Sequence, residues 1–417
     1  MTRRDVRPFG PLAIVMVGLP ARGKTHIARK LARYLKWVGR ETRLFNVGNY
    51  RRERLGSQQP AKFFDPGNRA GRSARLELAM EALDDLIAWI ADGGEVAIYD
   101  ATNTTRARRK LIRERLTARG IGALFVESIC DDERIVESNI RQTKLSSPDY
   151  VGVDPADAVR DFRARIAHYE QAYEPIDETE LSYVKVIDVG RQLVVNRIHG
   201  FLPGRLVFFL MNLHLVPRPI WFSRHGQSKL NRAGRIGGDS SLSPVGQEYS
   251  AKLGEWLDRY GRGDGDVVVW TSTLRRTIET ASRLSVPSQP WKALDEIDAG
   301  LCDGWTYAEI RERMPEEYAA RDQDKLRYRY PRGESYEDVI QRLEPVIIEL
   351  EREQNPVLVI AHQAVIRALY AYFTDLPAEE CPRVPVPLHG VIELTPRAYG
   401  CDERRFFLGP PVSESHK

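Results

Sequence analysis

Apolar segments of strand length alternate with helical patterns through the first half of the chain. Four segments have the length of buried strands: 12–18 (LAIVMVG), 42–47 (TRLFNV), 95–100 (EVAIYD) and 122–128 (GALFVES). After the first of them, apolar residues recur with helical spacing at Ile27, Leu31, Tyr34, Leu35 and Val38. Further helices are predicted around residues 72–92, 105–119, 131–141 and 155–173. Strands interleaved with helices predict a mainly parallel sheet that is covered on both faces.

The alternation pauses at residues 213–220 (LHLVPRPI), where two prolines mark a linker, and then starts again. The further elements are strands at 220–226 (IWFSRHG), 266–272 (DVVVWTS) and 356–362 (PVLVIAH), and helices at 244–259, 273–284, 335–353 and 362–373. The two halves differ in their motifs and show no internal repeat. The pattern therefore predicts two α/β domains, at residues 1–217 and 218–417.

The charges are nearly balanced, because 62 basic and 58 acidic residues give a net charge of +4. Arginine accounts for 50 of the basic residues and is spread along the chain without a long block of like charge. This distribution argues against nucleic-acid binding, which requires basic residues gathered on one face. Arginines suit small phosphorylated ligands better, because the guanidinium fork matches phosphate oxygens.

The remaining composition indicates a cytoplasmic protein without a membrane segment. The four cysteines are far apart in sequence and form no zinc or redox motif, so buried, reduced thiols are expected. The basic and apolar start resembles a signal peptide, but the apolar run leads directly into residues 18–25 and favours a first strand. The apolar stretch 205–216 is too short to span a bilayer.

Residues 18–25 (GLPARGKT) fit the phosphate-binding pattern G-x-x-x-x-G-K-[ST] and stand between a predicted strand and a predicted helix. The backbone N–H groups of such a loop surround phosphates, and the helix presents its positive N-terminal end. Lys24 would reach the β- and γ-phosphates, and the Thr25 hydroxyl would be a magnesium ligand. The nucleotide-contacting residues predicted here are Gly18, Leu19, Pro20, Ala21, Arg22, Gly23, Lys24, Thr25 and His26.

Asp100 ends the strand at 95–100 and precedes the segment TNTT. Ligands gather at the carboxyl ends of strands in parallel sheets, so Asp100 could orient magnesium or accept the proton of a substrate hydroxyl. The alternative is that Asp100 only caps the next helix. Thr102, Asn103, Thr104 and Thr105 are rival caps, and they favour the functional role for Asp100.

A histidine follows each of two predicted core strands in the second half, His225 in IWFSRHG and His362 in VLVIAH. The carboxyl ends of parallel strands lie at one sheet edge, so these histidines and Arg224 are expected to converge. Arg276 follows a third strand and would add another guanidinium. This is the pattern of a histidine phosphatase.

The motifs together resemble one family, the bifunctional 6-phosphofructo-2-kinase/fructose-2,6-bisphosphatases. The segments that carry the resemblance to its kinase half are GLPARGKT, FNVGNYRRE, DATNTTRARR, ESICDD, KLSSPDY and VIDVGRQLVVNRI, and RHG and VLVIAHQAVIR carry it in the second half. The resemblance runs from about residue 12 to 410. It implies an N-terminal P-loop kinase with a mainly parallel sheet and a C-terminal, phosphoglycerate-mutase-like histidine phosphatase.

For the kinase half, the resemblance implies roles that spacing alone does not indicate. It places Asn139 at the nucleotide and Lys144 at the transferring phosphoryl group. The residues that it assigns to the sugar phosphate are Arg51, Arg75, Thr102, Arg108, Arg165 and Tyr169.

For the phosphatase half, the resemblance makes His225 the nucleophile that forms a phosphohistidine. Arg224, Arg276 and His362 would stabilise the phosphoryl charge, and Glu296 would donate the proton to the departing sugar oxygen. The residues implied to hold the rest of the substrate are Asn231, Gly237, Tyr307, Arg321, Lys325, Tyr336, Gln363 and Arg367. Without the resemblance, residues 318–336 read as a solvated, charged loop.

The implied ligands are ATP with Mg²⁺ for the kinase, and fructose 6-phosphate and fructose 2,6-bisphosphate as substrate and product. No cofactor is expected for the phosphatase, and a homodimer is a possible assembly. Gln227 and Asn49 replace family glutamates and should change rates without abolishing activity. The sequence shows neither the family's longer regulatory tails nor an Arg-Arg-x-Ser site, so whether phosphorylation controls this chain stays open.

Two alternatives remain at this stage. One is an enzyme with a single active half or another sugar phosphate as its substrate. The other is a catalytically silent sensor of ATP and sugar phosphates. A silent sensor is disfavoured because all six reactive residue types are retained, namely Lys24, Thr25, Asp100, His225, Glu296 and His362.

Overall fold

The computed structural model describes residues 10–141, 148–261, 266–397 and 400–409. The chain divides into two compact units, Met1–Leu215 and Val216–Lys417. Within the described residues, each unit contains one six-stranded sheet flanked by helices, which confirms the predicted α/β class.

The sheet of the first unit has four parallel strand pairs and one antiparallel strand at its edge, in the order β2-β3-β1-β4-β5-β6. Its strands are β1 (Leu12–Val17), β2 (Thr42–Asn46), β3 (Val96–Asp100), β4 (Gly122–Ile129), β5 (Tyr183–Ile187) and β6 (Gln192–Asn196). Its helices are α1 (Lys24–Trp37), α2 (Val47–Leu55), α3 (Arg69–Ala91), α4 (Arg106–Thr117), α5 (Glu133–Asn139), α6 (Pro155–Glu170) and α7 (Phe201–Met211).

Strand β1 is apolar throughout because it is buried on both of its faces. Ile14 and Met16 pack in a core with Leu31 of α1 and Leu206 of α7. The alternate residues of β1 pack in a second core with α3 and α4. The strand that enters the phosphate-binding pattern is therefore held in the middle of the sheet.

The sequence patterns did not predict the hairpin of β5 and β6 or helix α7. The hairpin turns at residues 188–191, where Asp188, Val189 and Gly190 all have positive φ, and Gly190 was a turn signal that sequence reasoning missed. Helix α7 is apolar on several sides, because Phe208 and Met211 are exposed while Leu206 and Phe209 are buried. Such a segment lacks the amphipathic period that identifies a surface helix.

The second sheet has the order β12-β11-β7-β10-β8-β9, with β7, β10, β8 and β9 parallel and the hairpin of β11 and β12 antiparallel. Its strands are β7 (Ile220–Arg224), β8 (Val268–Thr271), β9 (Ser288–Pro290), β10 (Val357–Ala361), β11 (Gly390–Arg397) and β12 (Gly400–Phe407). The helices are α8 (Lys229–Arg232), α9 (Pro244–Tyr260), α10 (Arg275–Ala281), α11 (Tyr307–Arg313), α12 (Pro315–Gln323), α13 (Tyr336–Arg342), α14 (Glu344–Arg352) and α15 (Gln363–Thr374).

One prediction for the second unit was wrong, and the alternative given for residues 318–336 does not hold. The single helix predicted at 335–353 is two helices, α13 and α14, which meet at Leu343. Pro345 lies in the first turn of α14, where its missing N–H group is tolerated, and so it marks a helix start. The segment 318–336 is not a solvated loop, because it contains the end of α12 and the buried residues Leu326 and Tyr330.

We expect the neighbouring phenylalanines of α7 to differ sharply in their contribution to stability. Phe209 is 0% exposed and stacks on Tyr34 at a centroid distance of 4.2 Å, whereas Phe208 is 52% exposed. Phe209→Ala should lower the free energy of unfolding of the first unit by about 3–5 kcal/mol, because it leaves a cavity. Phe208→Ala should change it by less than about 0.5 kcal/mol.

Hydrogen exchange of peptides from β1, measured by mass spectrometry on the full chain, reports this free energy. Equal losses in the two variants would contradict the described packing of α7.

Candidate active sites

The loop between β1 and α1 has the backbone of a phosphate-binding loop. Gly18 has φ 132°, and a Cβ there would collide with the Ser128 carbonyl oxygen, so only glycine fits. Gly23 has φ 82° and precedes α1, which begins without a side-chain cap. The N–H groups of the first turn and the positive end of the α1 dipole can therefore serve an anionic ligand.

The side chains around this loop are held by its own carbonyl groups. The buried Lys24 donates from Nζ to the Leu19 carbonyl at 2.5 Å, and Asn139 Nδ2 donates to the Ala21 carbonyl at 3.0 Å. Arg22 lies 3.6 Å from Glu170. The remaining predicted members of the loop, Pro20, Thr25 and His26, are partly exposed. Lys144 lies outside the described residues.

Asp100 ends β3, which pairs with β1, and its carboxylate is buried and accepts a hydrogen bond from Asn46 Nδ2 at 2.5 Å. It does not cap α4, because Thr105 does so by accepting from the Arg108 N–H group. The Gly18 N–H group donates to the Thr102 carbonyl at 2.9 Å. This bond joins the segment after Asp100 to the start of the phosphate-binding loop.

The predicted sugar-phosphate residues gather around two phenylalanines that the sequence patterns did not indicate. Arg51 and Arg165 lie over the ring of Phe64 at 5.6 and 4.7 Å, and the Tyr169 ring lies 5.9 Å from it. Arg75 lies over Phe63 at 5.6 Å and also donates to its carbonyl. Phe63 and Phe64 thus form the floor on which these cations lie.

The charges of this arginine cluster are partly balanced by carboxylates. Asp149 accepts two hydrogen bonds from Arg51, at 2.7 and 2.5 Å, and lies 3.5 Å from Arg165. Arg165 also donates to Asp161 at 2.8 Å. The spacing of four residues between Asp161 and Arg165 on a helix was a signal for this pair that the sequence analysis did not use.

Arg75 is a member of this group whose surroundings disfavour its charged form. Burial lowers the pKa of its guanidinium, and the positive charges of Arg108 and Arg72 lower it further. A bound phosphate would relieve this repulsion.

In the second unit, strands β7 and β10 bring the two histidines together. Arg224 pairs with Ala361 across the parallel strands, so the next residues, His225 and His362, lie side by side. Their ring centroids are 5.1 Å apart. This is the convergence at one sheet edge that the sequence predicts.

His225 is held as a neutral imidazole with a defined tautomer. Its Nδ1 lies 2.7 Å from the Gly226 carbonyl, which can only accept, so the proton is on Nδ1. Arg276 Nε donates to Nε2 at 3.2 Å, which shows that Nε2 carries the lone pair. Burial, together with the charges of Arg276 and Arg224, keeps the pKa of His225 well below its usual value. The ring is thus in the state that a nucleophile requires.

His362 is also neutral, because burial and the charge of Arg276 hold its pKa well below the usual value. Its Nε2 lies 2.8 Å from the Ser272 hydroxyl. Within the described chain its Nδ1 is buried without a hydrogen-bond partner. A buried, unpaired nitrogen is unfavourable, so a phosphoryl oxygen placed at Nδ1 would be stabilised.

The arginines and glycines around His225 form a rigid frame. Arg224 donates to the Val386 carbonyl at 2.9 Å, and Arg276 donates to the Gly238 carbonyl at 2.5 Å. Gly237 has φ 67°, and a Cβ there would collide with the Asp303 carboxylate. These contacts leave the arginines few alternative orientations.

Two further predicted residues are held by backbone groups at helix starts. Asn231 accepts from the Ser228 N–H group at 3.1 Å in the capping box of α8. The Glu296 carboxyl group accepts hydrogen bonds from the N–H groups of Ile297, Gln363 and Ala364, at 2.9, 3.1 and 3.2 Å. Gln363 begins α15 directly after His362, so the acid and the second histidine are tied to the same turn.

A cavity opens above these groups and is lined by tyrosines and cations. Arg321 donates to the hydroxyls of Tyr307 and Tyr330 at 2.8 and 2.9 Å, and Arg367 donates to that of Tyr336 at 3.1 Å. The predicted residues that line it are Arg224, His225, Asn231, Gly237, Arg276, Glu296, Tyr307, Arg321, Lys325, Tyr336, Gln363 and Arg367. Sequence reasoning missed Arg235, Tyr328 and Tyr330, although the two tyrosines lie within the 318–336 segment.

Comparisons with known proteins assign both halves of the chain. Residues 5–217 match the family described as 6-phosphofructo-2-kinase, and residues 220–408 match the histidine phosphatase superfamily (branch 1). The 6-phosphofructo-2-kinase/fructose-2,6-bisphosphatase of Gallus gallus is 52% identical over 98% of this chain and 87% of its own length. The chain belongs to the 6-phosphofructo-2-kinase/fructose-2,6-bisphosphatase family.

Other relatives cover the chain to different extents. The Arabidopsis thaliana member of the family is 53% identical over 95% of this chain, which corresponds to 54% of that relative. Among solved structures, an alpha-ribazole phosphatase from Shigella flexneri is 24% identical, with a TM-score of 0.41, over 47% of this chain and 100% of its own.

Gln227 and Asn49, which replace glutamates of the family pattern, both have structural partners. Gln227 accepts from the Ser243 hydroxyl at 2.8 Å and does not line the cavity in the described chain. Asn49 is exposed and accepts from Arg52 at 2.5 Å. The effect of the two changes on rates stays a prediction.

The described residues give two further results. No helix among them is long and apolar enough to cross a membrane. No group of three or more His, Cys, Asp or Glu side chains in the described ranges could hold a metal ion.

Proposed function

We propose that the chain is a bifunctional enzyme that makes and removes the 2-phosphate of fructose 2,6-bisphosphate. The first unit transfers the γ-phosphoryl group of ATP to the 2-hydroxyl of fructose 6-phosphate, and the second hydrolyses the product. The observation that carries the proposal is the full-length match, over 98% of the chain, to relatives whose name joins both activities. Each unit also contains a coherent set of the residues that its reaction requires.

In the kinase reaction, Asp100 accepts the proton of the 2-hydroxyl, whose oxygen then attacks the γ-phosphorus. The buried carboxylate at the end of β3 is suited to this role, because the adjoining segment is bonded to the phosphate-binding loop. Lys24 leaves the Leu19 carbonyl to bind the β- and γ-phosphates. The sugar phosphate is held by Arg51, Arg75, Thr102, Arg108, Arg165 and Tyr169, and Asn139 and Lys144 serve the nucleotide and the transferring group.

We further propose that the kinase uses Mg²⁺. The oxygens of Thr25 and Asp100 are the donor type that this ion prefers. Thr25 would hold it, and the bound ion would neutralise developing phosphate charge.

In the phosphatase reaction, His225 Nε2 attacks the 2-phosphorus and forms a P–N bond while the bond to the sugar oxygen breaks. Glu296 gives its proton to that oxygen, and fructose 6-phosphate leaves. Arg224, Arg276 and His362 stabilise the charge on the phosphoryl oxygens. Water, deprotonated by Glu296, then attacks the phosphohistidine, which releases inorganic phosphate and restores neutral His225.

Reciprocal variants test whether the two activities reside in separate units. Lys24→Met should abolish synthesis of fructose 2,6-bisphosphate and leave its hydrolysis within about twofold, because Lys24 lies in the first unit and His225 lies in the second. His225→Ala should abolish hydrolysis and the acid-labile, alkali-stable label left by substrate carrying ³²P in the 2-phosphate, and it should spare synthesis.

Both activities and the label are measured on the purified full chain. Loss of both activities in either folded variant would refute the two-site proposal. Persistence of the label in His225→Ala would refute the choice of nucleophile.

Lys325 should make hydrolysis depend on pH. Burial lowers its pKa to about 7, and the charges of Arg367 and Arg321 add to this effect. Lys325 binds the 6-phosphate only when protonated, so kcat/KM should fall as the pH rises through about 7. Loss of one charge-assisted contact predicts a fall of roughly ten- to a hundredfold by pH 9.

The pH profile of kcat/KM for the wild-type chain and Lys325→Arg checks this expectation. The arginine stays charged, so the variant should show a flat profile from pH 7 to 9. The same fall in both proteins would assign the titration to another group.

We also propose that the chain forms a homodimer through the edge of the first sheet. Strand β6 is the antiparallel edge strand, and its Val194 and Val195 are exposed. Helix α7 follows it and exposes Phe201, Phe208 and Met211. An uncovered apolar strand edge is a natural surface for pairing with a second copy.

Sedimentation velocity of the full chain tests the dimer. The wild type should sediment as a dimer and Val195→Lys as a monomer, because the buried charge and the lost apolar contact oppose pairing. Ile278→Lys, at an exposed position of α10 in the second unit, should remain dimeric. A monomeric wild type, or a dimeric Val195→Lys, would refute this assembly.

We assign the enzyme to the cytoplasm as part of the same proposal. ATP and sugar phosphates are cytoplasmic metabolites, and the cysteines form no disulfide within the described chain.

A further inference from the structure

The segment 293–298, which carries Glu296, is held by a guanidinium group from outside the cavity. Arg342 is the last residue of α13. It donates to the carbonyl of Ala293, to that of Asp295 at 2.7 Å and to that of Glu296 itself at 3.2 Å. One side chain thus binds three carbonyl groups within four consecutive residues.

Glu334 completes this arrangement from the other side of the segment. Its carboxylate accepts from Arg342 Nε at 2.8 Å and from the Asp298 N–H group at 3.0 Å. Its own N–H group donates to the Asp298 carbonyl at 2.9 Å. The Arg342–Glu334 pair therefore binds the backbone both before and after Glu296.

The Glu296 side chain is held independently by the start of α15, whose N–H groups bond both carboxyl oxygens. The position of the carboxyl group consequently depends on two anchors, α15 for the oxygens and Arg342 for the backbone. Arg342 itself does not line the cavity in the described chain, and its side chain is only partly exposed. Arg342 therefore acts from outside the cavity, through the backbone of the segment 293–298.

We propose that Arg342, braced by Glu334, is a positioning residue for the acid Glu296. The inference rests on the proposed function, in which Glu296 protonates the departing sugar oxygen. A planar guanidinium has donors for three carbonyls and a carboxylate at once, whereas a lysine ammonium has three donors and no fork. Proton transfer in the transition state requires the acid within hydrogen-bond distance of the leaving oxygen, so a small shift of the segment lowers the rate.

Two substrates with different leaving groups distinguish a positioning role of Arg342 from a purely structural role. p-Nitrophenolate leaves readily without a proton, whereas the sugar alkoxide does not. A misplaced acid should therefore slow phosphorylation of His225 by fructose 2,6-bisphosphate and spare phosphorylation by p-nitrophenyl phosphate. General disruption of the pocket should slow both.

The experiment measures the rate of phosphohistidine formation by rapid quench with each substrate on the full chain. Arg342→Lys and Arg342→Gln should slow the reaction of fructose 2,6-bisphosphate by about ten- to a hundredfold, the size of effect that a misplacement of about 1 Å produces. Their rates with p-nitrophenyl phosphate should stay within about twofold of wild type, because that step does not need the acid. Glu334→Gln should show the same selectivity with a smaller loss.

Arg352→Lys is the matched control. Arg352 is the last residue of α14, as Arg342 is of α13, but it pairs with Glu349 at the surface. It should behave as wild type with both substrates. Unchanged synthesis of fructose 2,6-bisphosphate by the first unit verifies that each variant chain is intact there.

Glu296→Gln tests the acid role of Glu296 separately from the positioning role of Arg342. If Glu296→Gln slows only the sugar substrate while the Arg342 and Glu334 variants match wild type, the positioning inference is overturned and the acid role stands. If Glu296→Gln shows no selectivity, both are overturned. If the Arg342 and Glu334 variants slow phosphohistidine formation equally with both substrates, the two residues have only a structural role and the inference is overturned.

Discussion

Both sites depend on the alignment of parallel strands, whose carboxyl ends lie at one edge of each sheet. In the first unit, β1 delivers the phosphate-binding loop and β3 delivers Asp100 to the same edge. In the second, the register of β7 and β10 sets His225 beside His362. Backbone hydrogen bonds between buried strands leave little freedom in this register, so the reacting groups are placed by the most stable part of each unit.

Concentrated positive charge is the second feature that the two sites share. Arg51 and Arg165 pair with Asp149, and the arginines of the phosphatase bond to carbonyl groups. These arginines are thus bonded to groups of the protein, and their orientation is set before a ligand arrives. Burial and the charges of Arg276 and Arg224 lower the pKa of His225, so the surroundings proposed to attract a phosphate also keep this histidine neutral.

The residues proposed to bind substrate are held in place by other residues that lie outside the two sites. Phe64 lies beneath the kinase arginines, Ser272 binds His362, and Arg342 binds the segment of Glu296. These supports come from elements that are distant in sequence from the residues they hold. Their contacts explain how short loops, which would otherwise adopt several conformations, keep a defined geometry.

The sequence by itself determined the elements and residues whose signals are local. The apolar run 12–17 followed by GLPARGKT, and the strands that end at His225 and His362, could be recognised because strand length, glycine geometry and motif order depend on adjacent residues. Family resemblance then added residues such as Arg165 and Tyr307, which spacing alone could not identify.

Only the tertiary structure decided what depends on contacts between distant segments. Helix α7 has no amphipathic period because its surface is apolar on several sides. Arg321 bonds Tyr330, and Arg342 bonds Ala293, because tertiary packing brings them together. No periodicity in the sequence predicts either hydrogen bond. The neutral tautomer of His225 likewise requires burial and two arginines brought close by folding, since a sequence specifies residue types but not the dielectric around them.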